Sequence, residues 1–342
     1  MKRLSFVISR TGIPLIMLLL SLSSCDSSDK RPGNESAVKT LGLPLFKDLT
    51  DSLSQFPDDV SLYVRRASLL SQHNFHEIAN ADYKKAWELT SDENIALEYA
   101  SSLLLTNKLT EGIALLEHGL KAFPANTEFN RRLAEVYAQI GKSSKALEQY
   151  NIINQKDPTN FEAWFDKGSL LARMADTSGA IAAMEKSFSI LPINYSGLAL
   201  ANLYITRKNP RALEICNILL AKDSGNAQTE PLYMKGVYYS ELNDKAKALQ
   251  QFEECILRDW KMTDAYIEKG IIFFEEKNFE LALKTFKMAA TVSNTNADAY
   301  YWMGRCYEST GNTGEAVVNY ERAFALDRSF AEAKEALKRV NG

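Results

Sequence analysis

The sequence has few of the residues that build disulfide frameworks, metal centres or β-turns. Its 342 residues include only four cysteines and three histidines, which is too little for a disulfide-stapled domain. Glycine, at 16 residues, and proline, at 9, are scarce for an all-β protein of this length. The 40 basic and 43 acidic side chains leave a net charge of −3, and without a basic block this argues against nucleic-acid binding. A composition of 46% hydrophobic and 24% charged residues excludes a disordered chain and a multi-pass membrane protein.

Only the N-terminal segment contains a continuous apolar run. Residues 1–24 have no acidic side chain, and basic residues precede the largely apolar run at 13–22. About twenty apolar residues are needed to cross a bilayer, so this run is too short to do so. A basic start, a short apolar core and small residues before a cleavage point are typical of a secretory signal peptide. The run ends in Leu-Ser-Ser-Cys, with the cysteine at Cys25.

The last four of these residues resemble the lipobox of bacterial lipoproteins. The resemblance implies cleavage after residue 24, a diacylglyceryl group on the sulfur of Cys25, an N-acyl chain on its amine, and no other cofactor. Several acyl chains hold a protein on a membrane durably. The implied location is the bacterial cell membrane or outer membrane, facing the periplasm, with the cell surface as an alternative. The polar residues that follow predict a flexible tether over 25–43. A plain signal peptide with a chance cysteine, or an uncleaved anchor, is the competing interpretation.

The rest of the chain repeats with a period of 33 to 35 residues. A first series of small residues stands at Ala67, Ala100, Ala134, Gly168, Ala201, Gly236, Gly270 and Gly304. A second series follows at Ala79, Gly112, Ala146, Ala180, Ala212, Ala248, Ala282 and Ala316. Larger side chains, mostly aromatic or aliphatic, follow at a constant spacing, three residues after the first series and four after the second. Small residues that let helices approach, with bulky neighbours filling the space beside them, predict two packed amphipathic helices per unit.

This pattern resembles the tetratricopeptide repeat, W-x₂-L-G-x₂-Y…A-x₃-F…P. The fourth unit shows it in Trp164, Gly168, Leu171, Ala180 and Pro192. The resemblance implies an all-α fold, an α-solenoid forming a right-handed superhelix of about eight helix-turn-helix units. These units are expected over 58–330, between an N-terminal capping helix at 44–57 and a C-terminal capping helix at 331–342. Capping helices with a polar outer face keep such an array soluble.

No catalytic arrangement is visible in the sequence. Three cysteines, Cys216, Cys255 and Cys306, fall on helices at or beside core positions, and the histidines are scattered without the partners that a metal site requires. Acidic residues are spread at helical intervals, so no carboxylate pair can be nominated for acid–base chemistry. We therefore predict no catalytic residue, no metal site and no small-molecule substrate, and expect that the protein is not an enzyme.

In the repeat family, the concave surface is lined by the second, fifth, ninth and twelfth residues of each first helix. The resemblance nominates eight groove candidates for protein binding: Phe165, Tyr233, Ile267, Tyr301, Arg305, Glu230, Asp264 and Asp298. Such a groove would suit a peptide with apolar side chains flanked by Lys or Arg. Two roles that involve no ligand compete with binding. Acids in a first helical turn are favoured by the helix dipole, and aromatic residues at these places also pack against neighbouring repeats.

The leading hypothesis is a non-enzymatic, membrane-anchored lipoprotein whose repeats bind proteins. It would act as a scaffold or assembly factor in the bacterial cell envelope, with protein or peptide clients and without nucleic acid as a partner. The alternative is a non-catalytic regulatory subunit of an envelope enzyme complex, which would act by contact alone.

Overall fold

The computed structural model describes residues 34–341, and all regular structure within them is α-helical. The helices fall into two units, which meet in sequence between Asp176 and Thr177. The N-terminal unit contains α1 (Asn34–Leu41), α2 (Pro44–Gln55), α3 (Val60–Gln72), α4 (His76–Leu89), α5 (Glu93–Leu105), α6 (Leu109–Ala122), α7 (Glu128–Gln139), α8 (Ser143–Lys156) and α9 (Phe161–Arg173). The C-terminal unit contains α10 (Thr177–Ile190), α11 (Asn194–Thr206), α12 (Arg211–Lys222), α13 (Glu230–Glu241), α14 (Lys245–Arg258), α15 (Thr263–Glu275), α16 (Phe279–Val292), α17 (Ala297–Ser309), α18 (Thr313–Leu326) and α19 (Ala331–Asn341).

Within each unit, consecutive helices pack as antiparallel pairs. The pairs are α3 with α4, α5 with α6 and α7 with α8 in the N-terminal unit, and α11 with α12 through α17 with α18 in the C-terminal unit. The second helix of each pair also contacts the first helix of the next, so apolar side chains of adjacent pairs are buried against one another within each unit. This arrangement confirms the predicted all-α class and the pairing of helices typical of a tetratricopeptide solenoid.

The turns inside the pairs use a left-handed residue to end the first helix. Asn107 has φ 58° and Gly141 has φ 75°, and the same conformation recurs at the corresponding turns. The amide of Lys108 donates to the carbonyl of Leu103 at 2.9 Å, closing a Schellman motif. Asparagine and glycine tolerate positive φ better than other residues and stand at most of these turns. The same conformation is adopted at the others by Ala175, Lys208 and Lys277.

The small residues of the first series create room for a ring from the second helix. A Cβ atom on Gly270 would lie 2.4 Å from Cε1 of Phe286, and one on Gly236 would lie 2.4 Å from Cε1 of Phe252. Phe252 and Phe286 are fully buried. The repeating glycines and alanines are therefore a packing requirement, because a larger side chain would displace the ring that fills each pair.

The helix α2 packs on the first helix of the first pair, and α19 packs on the second helix of the last pair. Phe46 of α2 is fully buried against the first helix pair. Arg66 binds Asp82 through two hydrogen bonds of 2.7 and 2.6 Å and donates a third, of 3.1 Å, to the hydroxyl of Thr50 on α2. At the other end, Arg339 of α19 donates to the Glu308 carboxylate at 2.7 and 2.8 Å.

The predicted flexible tether over 25–43 is wrong for its second half. Residues Asn34–Leu41 form α1, which packs on α2. Leu41 packs against the first core cluster, and its carbonyl accepts a hydrogen bond of 3.2 Å from the Thr50 hydroxyl. These long-range contacts order a segment whose polar composition alone indicated a linker. The signal peptide and Cys25 lie outside the described residues. None of the helices in 34–341 is long and apolar enough to cross a bilayer.

Candidate functional site

The predicted groove residues belong to first helices in both units. Phe165 lies on α9 of the N-terminal unit and is half-buried. The other seven lie on α13, α15 and α17 of the C-terminal unit, where α15 contacts α17, and where burial and the charge of Glu268 on α15 raise the pKa of Tyr233 on α13. We count the places of each first helix so that its small residue of the first series (Gly236, Gly270 or Gly304 here) is the eighth. The side of α13, α15 and α17 that carries the second, fifth, sixth, ninth and twelfth places is called the C-terminal first-helix face.

The fifth residues of these helices are part of the core. Tyr233 and Ile267 are 7% exposed and Tyr301 is 8% exposed. The ring of Tyr233 lies 5.7 Å from that of Phe252, and the ring of Tyr301 lies 5.0 Å from that of Phe330. The prediction that these three side chains line an open groove is therefore wrong. Their role is packing, because each side chain is covered by a neighbouring helix or loop.

The ninth and twelfth residues are the ones that reach solvent. Val237, Ile271 and Phe274 are half-buried and give the face an apolar floor. Arg305, also half-buried, holds its guanidinium 5.1 Å from the ring of Phe274 and 5.5 Å from that of Trp302. Such cation–π contacts keep a cation beside aromatic surface. Of the predicted polar candidates, Arg305 is thus fixed within the face rather than extended into solvent.

Carboxylates surround this floor. Glu230 and Asp298 are half-buried and Asp264 is exposed, so all three predicted acids are accessible. A fourth acid, Glu268, was missed by the sequence reasoning because it occupies the sixth place. Its position four residues after Asp264 is the signal that could have found it, since residues four apart share a helical face.

Glu268 has an unusual protonation equilibrium. Burial is the main cause, and the negative charges of Asp264 and Asp298 add to it; together they raise its pKa from 4.5 to about 7. Both effects disfavour the ionised form of the carboxyl group. The Glu268 carboxyl group therefore takes up a proton at a higher pH than an exposed glutamate does.

The corresponding face of the N-terminal unit is internally paired. Arg131, at the fifth place of α7 in the same count, donates to Glu128 at 2.7 Å and to Glu135, and Arg132 donates to Glu128 at 2.8 Å. Asp166, on α9, has its pKa raised to about 6, mainly by burial and then by the charge of Glu135. Cations and carboxylates therefore pair directly on this face, while its half-buried Asp166 resists ionisation as Glu268 does on the C-terminal face.

The structure brings no catalytic or metal-binding group together in its described residues. In 34–341 there is no cluster of three His, Cys, Asp or Glu side chains able to hold a metal ion. Burial raises the pKa of Cys216, Cys255 and Cys306 to about 12, so their thiols stay protonated at neutral pH and are poor nucleophiles. The expectation that the protein is not an enzyme stays a prediction.

Comparison with protein families identifies the repeats. Two family models, both described as tetratricopeptide repeat, match this chain, one at residues 103–174 and the other at 229–259 and 297–330. The chain therefore contains tetratricopeptide repeats in both of its units. Repeats of this kind indicate a protein–protein interaction scaffold.

Individual relatives share the repeat rather than the whole protein. A stretch of 95 residues is 33% identical to the probable UDP-N-acetylglucosamine–peptide N-acetylglucosaminyltransferase SPINDLY of Solanum lycopersicum, covering 28% of this chain and 10% of that protein. Tetratricopeptide repeat protein 1 of Schizosaccharomyces pombe is 30% identical over 108 residues, covering 27% of this chain and 10% of that protein. The chain thus spans about a tenth of the length of the curated relatives it matches.

Solved structures are similar at low sequence identity. The APC/C hetero-tetramer Cut9-Hcn1 contains a chain with a TM-score of 0.47 and 17% identity, over 85% of this chain and 58% of that one. A tetratricopeptide repeat protein from Parabacteroides merdae has a TM-score of 0.45 and 14% identity, over 83% of this chain and 99% of that one.

Proposed function

We propose that the protein is a non-enzymatic, lipid-anchored scaffold or assembly factor of the bacterial cell envelope. The tetratricopeptide repeats support the binding of protein or peptide clients. The signal-like segment that ends at Cys25 supports attachment to a membrane through a diacylglyceryl group. Anchoring would concentrate the repeats in two dimensions and so raise the effective concentration of any client tethered to the same membrane.

The observation that carries the binding part is the C-terminal first-helix face. It combines half-buried apolar side chains at Val237, Ile271 and Phe274 with the accessible carboxylates of Asp264 and Asp298. An apolar floor beside negative charge fits a client segment with apolar side chains and neighbouring Lys or Arg. The buried tyrosines contribute by holding the helices in place, not by touching the client.

Client capture should be tested with substitutions of side chains that are not fully buried. We expect Ile271→Ser together with Asp264→Asn to abolish co-purification of clients crosslinked in the cell, with unchanged helical circular dichroism. Met288, which is exposed on the second helix α16, provides the control variant Met288→Ser. Equal capture by the double variant and the control would refute the assignment of this face.

The anchor has its own test. Replacing Cys25 with Ala removes the only sulfur that the lipobox resemblance assigns to acylation. We expect the variant to move from the membrane fraction to the soluble fraction, whereas Cys216→Ala, which changes a buried thiol, should leave the distribution unchanged. A membrane-bound Cys25→Ala protein would defeat the lipid assignment.

A further inference from the structure

Three exposed apolar side chains project from the corner between α1 and α2. Val38 is 69% exposed, Leu43 is 42% exposed and Leu45 is 49% exposed. Backbone hydrogen bonds from Gly42 to the carbonyl of Val38, 3.1 Å, and from Leu43 to that of Thr40, 3.0 Å, fold these residues into one compact turn. We call Val38, Leu43 and Leu45 the N-terminal tip. Single exposed apolar residues are common on proteins, but three on one turn form a patch.

Residues other than Val38, Leu43 and Leu45 hold the tip in place. Phe46, next to Leu45, is fully buried and fixes the start of α2 on the first helix pair. The hydroxyl of Thr50 donates to the carbonyls of Leu41 and Phe46 and accepts a hydrogen bond from Arg66. The corner is therefore ordered by its inner side, while the outer side presents leucine and valine to the surroundings.

We propose that the N-terminal tip inserts into the interfacial region of the lipid bilayer. The inference rests on the proposed acylation of Cys25. Asn34, the first residue of α1, lies nine residues after Cys25, and a fully extended chain spans about 3.4 Å per residue, so α1 starts within about 30 Å of the lipid anchor. No other part of the described structure is tied so closely to the membrane, and the tip is the first apolar surface that the chain presents after the anchor.

The surroundings of the tip suit a bilayer surface. Lys39 and Lys47 are exposed on the same two helices, Lys47 with its ammonium 2.6 Å from the Asp51 carboxylate on α2. Lysine side chains beside apolar residues can reach lipid phosphates while the apolar residues enter the acyl boundary. An acyl chain and a shallow apolar patch together give two attachment signals, which hold a protein more firmly and in a more defined orientation than one.

The test uses the full-length acylated protein in vesicles of phosphatidylethanolamine and phosphatidylglycerol. An environment-sensitive fluorophore is attached to Leu43→Cys, or to Leu45→Cys as a second site. Labelling is selective because the three cysteines in the described structure are buried. The matched control is Val318→Cys on α18, an apolar residue that is 58% exposed in the C-terminal unit. The soluble Cys25→Ala background provides the spectrum in water.

We expect blue-shifted emission at both tip sites on vesicles, quenching by a lipid-borne quencher, and no change at the Val318 site. If the protein floats with the vesicles while the emission of the tip probes is no more blue-shifted than that of the Val318 control, the tip proposal is overturned and the anchor stands. If the protein does not float at all, the anchor and the tip proposal both fail. A blue shift without vesicles that grows with protein concentration would show that a second copy covers the tip, and would also overturn the proposal.

Discussion

A methyl group added at Gly270 should destabilise the C-terminal unit, although alanine normally favours a helix over glycine. The Cβ of Gly270→Ala would stand 2.4 Å from Cε1 and 2.7 Å from Cζ of Phe286, whereas ordinary contacts begin at 3.4 Å. Phe286 is fully buried, so its ring cannot move into solvent. Forcing an extra carbon into a packed core costs about 1–3 kcal/mol.

A matched glycine separates this overlap from helix propensity. Gly314, near the start of α18, would give its new Cβ no neighbour within 4 Å. Gly314→Ala should therefore gain up to about 1 kcal/mol from helix propensity alone. Propensity favours alanine at both sites, so the two variants should differ in unfolding free energy by about 1–3 kcal/mol, the overpacking cost at Gly270.

A double-mutant cycle with Phe286→Leu makes the test decisive. Leucine lacks the two ring atoms, Cε1 and Cζ, that come closest to the new methyl group, so Gly270→Ala should become neutral or stabilising in that background. Urea unfolding followed by circular dichroism measures the energies. Amide hydrogen exchange in α15 and α16 localises them, because repeat arrays do not always unfold in one step. Additive effects of the two substitutions would refute the packing role of the first small-residue series.

Two further predictions follow from the charged groups. Asp82→Ala removes the two hydrogen bonds that the buried Arg66 guanidinium donates to this carboxylate, and should lower the unfolding free energy by about 3–5 kcal/mol. The control Glu88→Ala removes an exposed partner of Lys84 at 3.9 Å and should change the unfolding free energy by less than about 1 kcal/mol. Urea titration compares the two variants. Because the folded-state pKa of Glu268 is raised from 4.5 to about 7, the folded protein binds a proton that the unfolded chain has lost, so stability falls as the pH rises between these values. The Glu268→Gln variant should not lose this stability, and should melt at a higher temperature than the wild type at pH 8 but not at pH 4.5. The control Glu321→Gln, at an exposed position, should show no such difference. If Glu268→Gln and the wild type melt at the same temperature at both pH values, the raised pKa is contradicted.

The helix pairs could be predicted from the sequence because their packing is local and periodic. A small residue such as Gly270 and the ring of Phe286 are sixteen positions apart, and the same pair recurs at a constant interval along the chain. The turns follow for the same reason, since the left-handed position at Asn107 or Gly141 depends on nearby residues only. Repetition multiplies weak signals, so the fold class needed no long-range information.

The details of the face could not be predicted in the same way. Whether Tyr233 or Tyr301 is open to solvent depends on how closely neighbouring helices and loops approach, and the periodic pattern does not contain that distance. The helix α1 depends on the contact of Leu41 with a core built from later residues. Glu268 became important only when the structure showed Asp264 and Asp298 acting on one carboxyl group.

These differences change what the face would recognise. Because the fifth residues are buried, the client would contact the apolar floor of Val237, Ile271 and Phe274 instead. This floor can accept many apolar side chains and would select little by shape. Selectivity would then depend on charge, and here the raised pKa of Glu268 matters. A client Lys or Arg bound beside it would favour the ionised carboxylate and lower its pKa, so binding and proton release would be linked near neutral pH. The burial of Glu268 and the repulsion from its neighbouring carboxylates, which together cost stability in the free protein as Glu268 ionises, would thus become the reason for preferring a cationic client.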